Sequence, residues 1–168
     1  KDQSGTRTFL PQVTFEDETG RYTMKTLLFA AGLAFAASVA AAETAVTYTV
    51  NQEFDDVTFG LESAITDRGL VIDAVSYVGD MLERTRADVG SDVTLFEQAR
   101  VYSFCSASLS RKVMEADPMN LQFCPYDIFV MQKPGEDMTT IGFRAMPDGV
   151  MQEVQTLLDQ IVQDAIAD

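Results

Sequence analysis

Between residues 43 and 168 the apolar positions change period several times, and each change marks an expected element. Ala45 to Val50 alternates apolar residues with Thr, placing Val46, Tyr48 and Val50 on one side, which is the period-two signature of a strand. Asp55 and Asp56 then offer N-caps for a helix to about Arg68, with Val57, Leu61, Ala64 and Ile65 as its apolar stripe. Gly69 follows as the C′ residue. Leu70 to Val78 is β-branched and apolar enough for a buried strand. Gly79-Asp80 opens a shorter, more polar helix to Val89, closed by Gly90.

The second half reads in the same way. Leu95 to Cys105 carries Leu95, Phe96, Val101, Tyr102 and Phe104 and is expected as a long strand. Ser106 caps a helix to about Ala116, which Asp117-Pro118 closes because proline cannot continue it. Tyr126 to Gln132 and Met138 to Arg144 are two strands joined by the turn-rich Lys133-Pro134-Gly135-Glu136-Asp137. After Pro147-Asp148-Gly149, the stripe Val150, Val154, Leu157, Leu158, Ile161 and Ala165 predicts a closing helix over 150–166. Strands and helices do not alternate strictly and one hairpin is evident. The expected fold is therefore α+β, a mostly antiparallel sheet with helices packed on one face.

The region before residue 43 has a different character. Met24-Lys25 followed by an apolar run and Ala40-Ala41-Ala42 has the charged, apolar and small-residue zones of a secretory signal peptide. From Leu27 to Ala42 there are 16 residues, many of them Ala, short of the roughly 20 that span a bilayer. Cleavage is expected after Ala42, with an uncleaved amino-terminal anchor as the alternative. Residues 1–23 are polar and mixed in charge, and are expected to be an upstream extension with translation beginning at Met24. This divides the chain into an extension (1–23), a signal peptide (24–42) and one α+β domain (43–168), and implies a periplasmic location.

Charge sharpens that division. The 168 residues carry 12 Lys+Arg against 26 Asp+Glu, a net charge of −14. The first 42 residues are neutral, with Lys1, Arg7, Arg21 and Lys25 balancing Asp2, Glu16, Asp17 and Glu18, so the whole excess belongs to residues 43–168. Such a surface repels nucleic acid and anionic membranes, so neither is expected as a partner of the mature domain. The absence of His excludes Ser-His-Asp and Cys-His catalytic pairs and His-ligated zinc or haem. No glycine-rich phosphate loop is present.

What chemistry remains centres on Cys105 and Cys124, the only cysteines. If the strand ending at Cys105 and the strand beginning after Cys124 are antiparallel neighbours, both thiols lie at the same end of the sheet. A parallel crossover would leave them roughly 15–20 Å apart. In an oxidising periplasm the antiparallel arrangement favours a structural disulfide. Two buried unreactive thiols are a second reading, and a redox or metal-binding pair a third. Cys105 directly precedes a helix start, where free N–H groups and the helix dipole lower a thiol's pKa. Met114, Met119 and Met131 are candidate soft ligands, though methionine at such spacing is ordinary core filler. Phe104, Phe123 and Tyr126 flank the cysteines as core or as walls of an apolar pocket. Arg84, Arg86 and Arg111 are candidate anion contacts in an otherwise acidic chain.

The blocks Phe104-Cys105-Ser106-Ala107-Ser108-Leu109, Ala116-Asp117-Pro118 and Phe123-Cys124-Pro125-Tyr126-Asp127-Ile128 resemble the domain-of-unknown-function 302 family in its exported bacterial form. The resemblance extends over about Val46 to Gly149. It implies a TATA-binding-protein-like α+β fold, and it implies no reaction and no catalytic residues. The sequence thus supports a non-enzymatic periplasmic accessory or binding domain for a small molecule or protein, held by a Cys105–Cys124 disulfide. The alternatives are a thiol redox protein using the same pair and a soft-metal or haem-associated carrier. No resident cofactor or metal is assigned, and a homodimer is open because a sheet with one uncovered face can cover it by symmetry.

Overall fold

The structure, a computed structural model, describes residues 44–167. The expected signal peptide (24–42) and the expected upstream extension (1–23) lie outside the described residues. Ten elements follow in order: β1 (Ala45–Val50), α1 (Phe54–Thr66), β2 (Val71–Ser76), α2 (Val78–Thr85), β3 (Gln98–Cys105), α3 (Ala107–Ala116), a 3-10 segment (Pro118–Phe123), β4 (Tyr126–Gln132), β5 (Thr139–Arg144) and α4 (Gln152–Ala165). The strands form one antiparallel sheet in the order β1-β5-β4-β3-β2. This is the expected α+β class. Among the described residues no helix is long and apolar enough to cross a membrane.

Strand alternation assigns the two faces of the sheet. Tyr102 and Phe104 of β3, Tyr126, Ile128 and Val130 of β4, and Ile141 and Phe143 of β5 all point to one side and are buried. On that side lie α1, with Phe54, Val57, Leu61 and Ile65, and α4, with Val154, Leu158, Ile161 and Val162. The two helices approach closely at Gly60, where an added Cβ would lie 2.3 Å from the carbonyl oxygen of Ala165. Among the described residues the other side of the sheet carries no helix layer. There Asp127 and Arg144 are exposed, and Val101, Ser103 and Phe129 are half-buried.

Several boundaries differ from the sequence expectation, each for a local reason. Asp55 and Asp56 do not cap α1; Glu53 is the N-cap, without a side-chain hydrogen bond, and both aspartates sit in the first turn. Carboxylates there still meet the positive end of the helix dipole. Gly69 does end α1, at φ +70°, with its N–H donating to Thr66 O at 2.8 Å and that of Leu70 to Ile65 O at 3.3 Å. This is the paired bonding of a Schellman cap.

The second helix stops at Thr85 rather than Val89, because Arg86-Ala87-Asp88 has no apolar face to bury, and a turn carries the chain to Gly90. The strand expected to be buried, β2, is instead a mostly exposed edge strand with Val71 70% exposed. Its register shifts at Asp73, a bulge of the kind that protects free sheet edges. The 3-10 segment was not expected. Asp117 accepts from the Met119 N–H at 2.9 Å, starting this segment directly where α3 ends.

Candidate functional site

The thiols meet because β3 and β4 are antiparallel neighbours. The register pairs Phe104 with Tyr126, so Cys105 at the end of β3 and Cys124 just before β4 arrive at the same end of the sheet. Ser106 fixes the next turn as the N-cap of α3, its hydroxyl accepting from the Leu109 N–H at 3.4 Å. The 3-10 segment ends at Phe123, and the Cys124–Pro125 peptide is cis.

The Sγ atoms are 2.8 Å apart, and both cysteines are free thiols. A bonded pair would lie at about 2.05 Å, so the structure holds the two cysteines as a dithiol in contact where a disulfide is expected from the sequence. The electrostatic expectation for Cys105 is also reversed. Its thiol is pushed up to about 12, first by desolvation, then by the hydrogen bond and charge coupling to Cys124, with Asp73 adding to the rise. Cys105 stands one residue before the cap, and burial together with an acidic neighbour outweighs the helix dipole there.

The aromatic residues around the pair divide between the two faces. Phe104 and Tyr126 are core residues, in edge-to-face contact at 6.4 Å and 78°, and neither lines the recess beside Cys124. Tyr126 also accepts from the Ser110 hydroxyl at 3.0 Å, tying β4 to α3. Of the three aromatics expected to wall a pocket, only Phe123 does so. It borders a recess of about 420 Å³ on the uncovered sheet face, together with Cys124, Pro125 and Phe129. The Phe129 ring lies over Gly142, where a Cβ would sit 2.9 Å from its Cζ, so the glycine lets the ring lie close against the sheet.

The polar groups of this recess include Gln122, Asp127 and Arg144. Asp127 and Arg144 lie opposite each other, one step beyond the Ile128–Phe143 pair. Even so, Asp127 accepts from the Ser103 hydroxyl on β3 at 2.5 Å. Among the described residues the Arg144 side chain has no ion-pair or hydrogen-bond partner. A larger groove of about 740 Å³ runs along α1 and the end of α4. Its one guanidinium, Arg68, is already joined to Asp164 and to the carbonyl of Ala64. The smaller recess therefore combines an uncommitted cation, an apolar wall and a thiol, and the larger one does not.

The expected anion contacts are not brought together. Arg86 bonds Glu83 at 3.0 Å and Arg111 bonds Glu115 at 3.1 Å, each along its own helix. Arg84 and Arg86 line different recesses beside α2, and Arg111 stands on α3. Nor do the methionines gather at the thiols. Met119 is exposed on the 3-10 segment, Met114 packs on the core, and Met131 lies at the far end of β4. Arg144 and Asp127 were missed in the sequence because only the strand register brings them to the recess. Arg100 was missed too. It reaches from β3 beneath α1, 5.0 Å from the Phe54 ring and 5.4 Å from that of Tyr77, with Asp55 at 3.6 Å.

Fold and site together define an α+β domain with an uncovered sheet face and a thiol pair at one end of that face. The chain belongs to the family described as domain of unknown function DUF302, whose model matches residues 46–165. It is similar in fold to the crystal structure of an uncharacterized conserved DUF302 protein from Bacillus stearothermophilus. That similarity has a TM-score of 0.51 and 18% identity, over 74% of this chain and 88% of that chain. Among curated proteins none matches.

Proposed function

We propose that this DUF302 domain is an exported periplasmic accessory protein that binds a small molecule in the recess on its uncovered sheet face. The thiol pair closes to a Cys105–Cys124 disulfide in the oxidising compartment. The observation that carries this reading is the recess itself, where Arg144, whose side chain is unpaired among the described residues, shares one wall system with apolar Phe123 and Phe129 and with Cys124. Small-molecule sites are concave and mostly apolar, with a few placed polar groups, and this recess has that make-up. The signal-like segment before residue 43 supports export, and the 2.8 Å contact supports ready closure of the disulfide.

The test begins with expression from Met24 in a bacterial host, followed by fractionation, alkylation and native mass measurement. The expected product starts near Glu43, lies in the periplasm, resists alkylation until reduced, and carries a small molecule that Arg144→Ala releases. A full-length cytoplasmic chain with two alkylatable thiols would overturn export and the disulfide. A periplasmic protein with no bound small molecule, and no chemical-shift response at Phe129 to any member of a metabolite panel, would overturn the binding role.

A further inference from the structure

We propose that the ligand of this recess is a small disulfide bearing carboxylate groups, and that Cys124 and Cys105 react with it by thiol–disulfide exchange. This rests on the small-molecule reading above and specifies the ligand's chemistry. Three placements carry it. Cys124 is among the residues that line the recess and Cys105 is not, though its Sγ is 2.8 Å from that of Cys124. An incoming disulfide therefore meets Cys124 first. Arg144 lines the same recess with its side chain unpartnered among the described residues, and a guanidinium fork matches a carboxylate with two parallel hydrogen bonds. Phe123, Pro125 and Phe129 supply apolar surface for the methylene and sulfur atoms between the carboxylate and the reacting bond. At about 420 Å³ the recess falls within the usual range for small-molecule sites.

The exchange balances without any further reagent. The Cys124 thiolate attacks one sulfur of R–S–S–R, forming a mixed disulfide and releasing RS⁻. Cys105, as its thiolate, then attacks the Cys124 sulfur, closing Cys105–S–S–Cys124 and releasing the second RS⁻. The two protein thiols lose two electrons and two protons. The small disulfide gains both, leaving as two thiols. Burial keeps Cys105 protonated at neutral pH, which suits a resolving residue that should not react with solution disulfides directly. Its few thiolates are strong nucleophiles, and contact with Cys124 makes the second step intramolecular.

The experiment uses the reduced full chain, challenged separately with cystine, oxidised glutathione and neutral hydroxyethyl disulfide. Samples are quenched in acid and weighed by mass spectrometry, and each rate is divided by that of a free cysteine peptide with the same reagent. The carboxylated disulfides are expected to react at least about tenfold faster than the neutral one, as one charge-assisted bidentate contact predicts. Arg144→Ala should bring that ratio close to one, and Arg144→Lys should restore part of it. Cys105→Ser should halt at a mixed disulfide on Cys124, while Cys124→Ser should form none at comparable rate. Equal normalised rates for charged and neutral reagents, or a mixed disulfide accumulating on Cys105, would overturn the proposal. If either occurs while Arg144→Ala still releases a co-purifying molecule, the ligand class fails and the binding role stands.

Discussion

The two faces of the sheet are made by the same strands and differ in almost everything else. On the covered face, Tyr102, Phe104, Ile128, Val130, Ile141 and Phe143 are fully buried against α1 and α4. On the uncovered face, Arg144 and Asp127 are exposed beside half-buried Phe129 and Val101. One residue's shift along a strand moves a side chain from one environment to the other. Stability is concentrated on the first face, and the groups capable of recognition or chemistry lie on the second. The difference shows that a fold can leave one sheet surface free for a ligand when the opposite surface alone supplies the core.

The largest expected effect tests that separation directly. Phe143→Ala on the covered face should cost about 3–5 kcal/mol, through lost transfer energy and the cavity left behind. Phe129→Ala, on the neighbouring strand but the other face, should cost only about 1–2 kcal/mol, since its ring is half-exposed and rests on Gly142. Urea unfolding of both variants measures the contrast. Equal losses would mean that the uncovered face is as much core as the covered one.

The covered face was also the more legible of the two. The hairpin of β4 and β5, the stripe of α4 and the strand β1 follow from period-two and helical patterns that each contain their own evidence. The burial of β2 did not follow, since apolar composition says nothing about whether a strand ends at a sheet edge. The nearness of Cys105 and Cys124 could be argued from antiparallel pairing, because topology alone decides which end each thiol reaches. The rise in the Cys105 pKa could not. It depends on burial, on contact with Cys124 and on Asp73 from the edge strand β2, none of which can be read from neighbours in sequence. Arg144 stayed hidden for a related reason, since its meaning lies in the residues across the sheet from it rather than beside it in sequence.

The thiol end of the sheet can be pulled toward either regime by its redox state. Oxidation closes a loop between residues 19 apart in sequence, which should stabilise the domain by on the order of 3 kcal/mol in the chain-entropy model. Cys124→Ser should lose that gain and respond no further to reductant. Melting curves with and without reductant read the effect, and coincident curves for the native chain would contradict it. The reduced form carries a further signature in alkali. The Cys105 pKa rises from 9.0 to about 12 on folding, so the folded state favours the protonated thiol. That stabilisation is complete below pH 9 and disappears as pH climbs toward 12. Tyr48, Tyr102 and Tyr126 are raised as well and act in the same direction. Reduced Cys105→Ser should therefore show a shallower alkaline loss of melting temperature than the native chain, with the tyrosine part retained.

Within the covered layer, Gly60 separates helix propensity from packing. On an exposed helix, Gly→Ala would gain about 1 kcal/mol from reduced backbone entropy. At Gly60 the new Cβ would lie 2.3 Å from the backbone carbonyl of Ala165, which no side-chain rotation relieves. The two helices must separate, so the expected result is a net loss of about 1–3 kcal/mol, read as a lower urea midpoint. A gain in stability would show that α4 can slide away freely and that its contact with α1 contributes little to the covered face.

The smallest effect is expected at Arg111, which the acidic chain makes look important. Its bond to Glu115 joins two side chains that are 74% and 67% exposed. A helical pair so open to solvent and salt contributes about 0.3–0.5 kcal/mol at most. Arg111→Ala should accordingly shift the urea midpoint barely beyond error, and leave the reaction of the thiols with charged disulfides unchanged. Arg144→Ala is expected to leave stability similarly intact, since its guanidinium holds no partner among the described residues, yet to abolish the preference for carboxylated reagents. The pair of variants makes the comparison of faces a chemical one, because two exposed arginines equal in their effect on folding differ only in what surrounds them. If Arg111→Ala reduced the preference as much as Arg144→Ala, the selectivity would come from overall charge. The recess would then have no part in it.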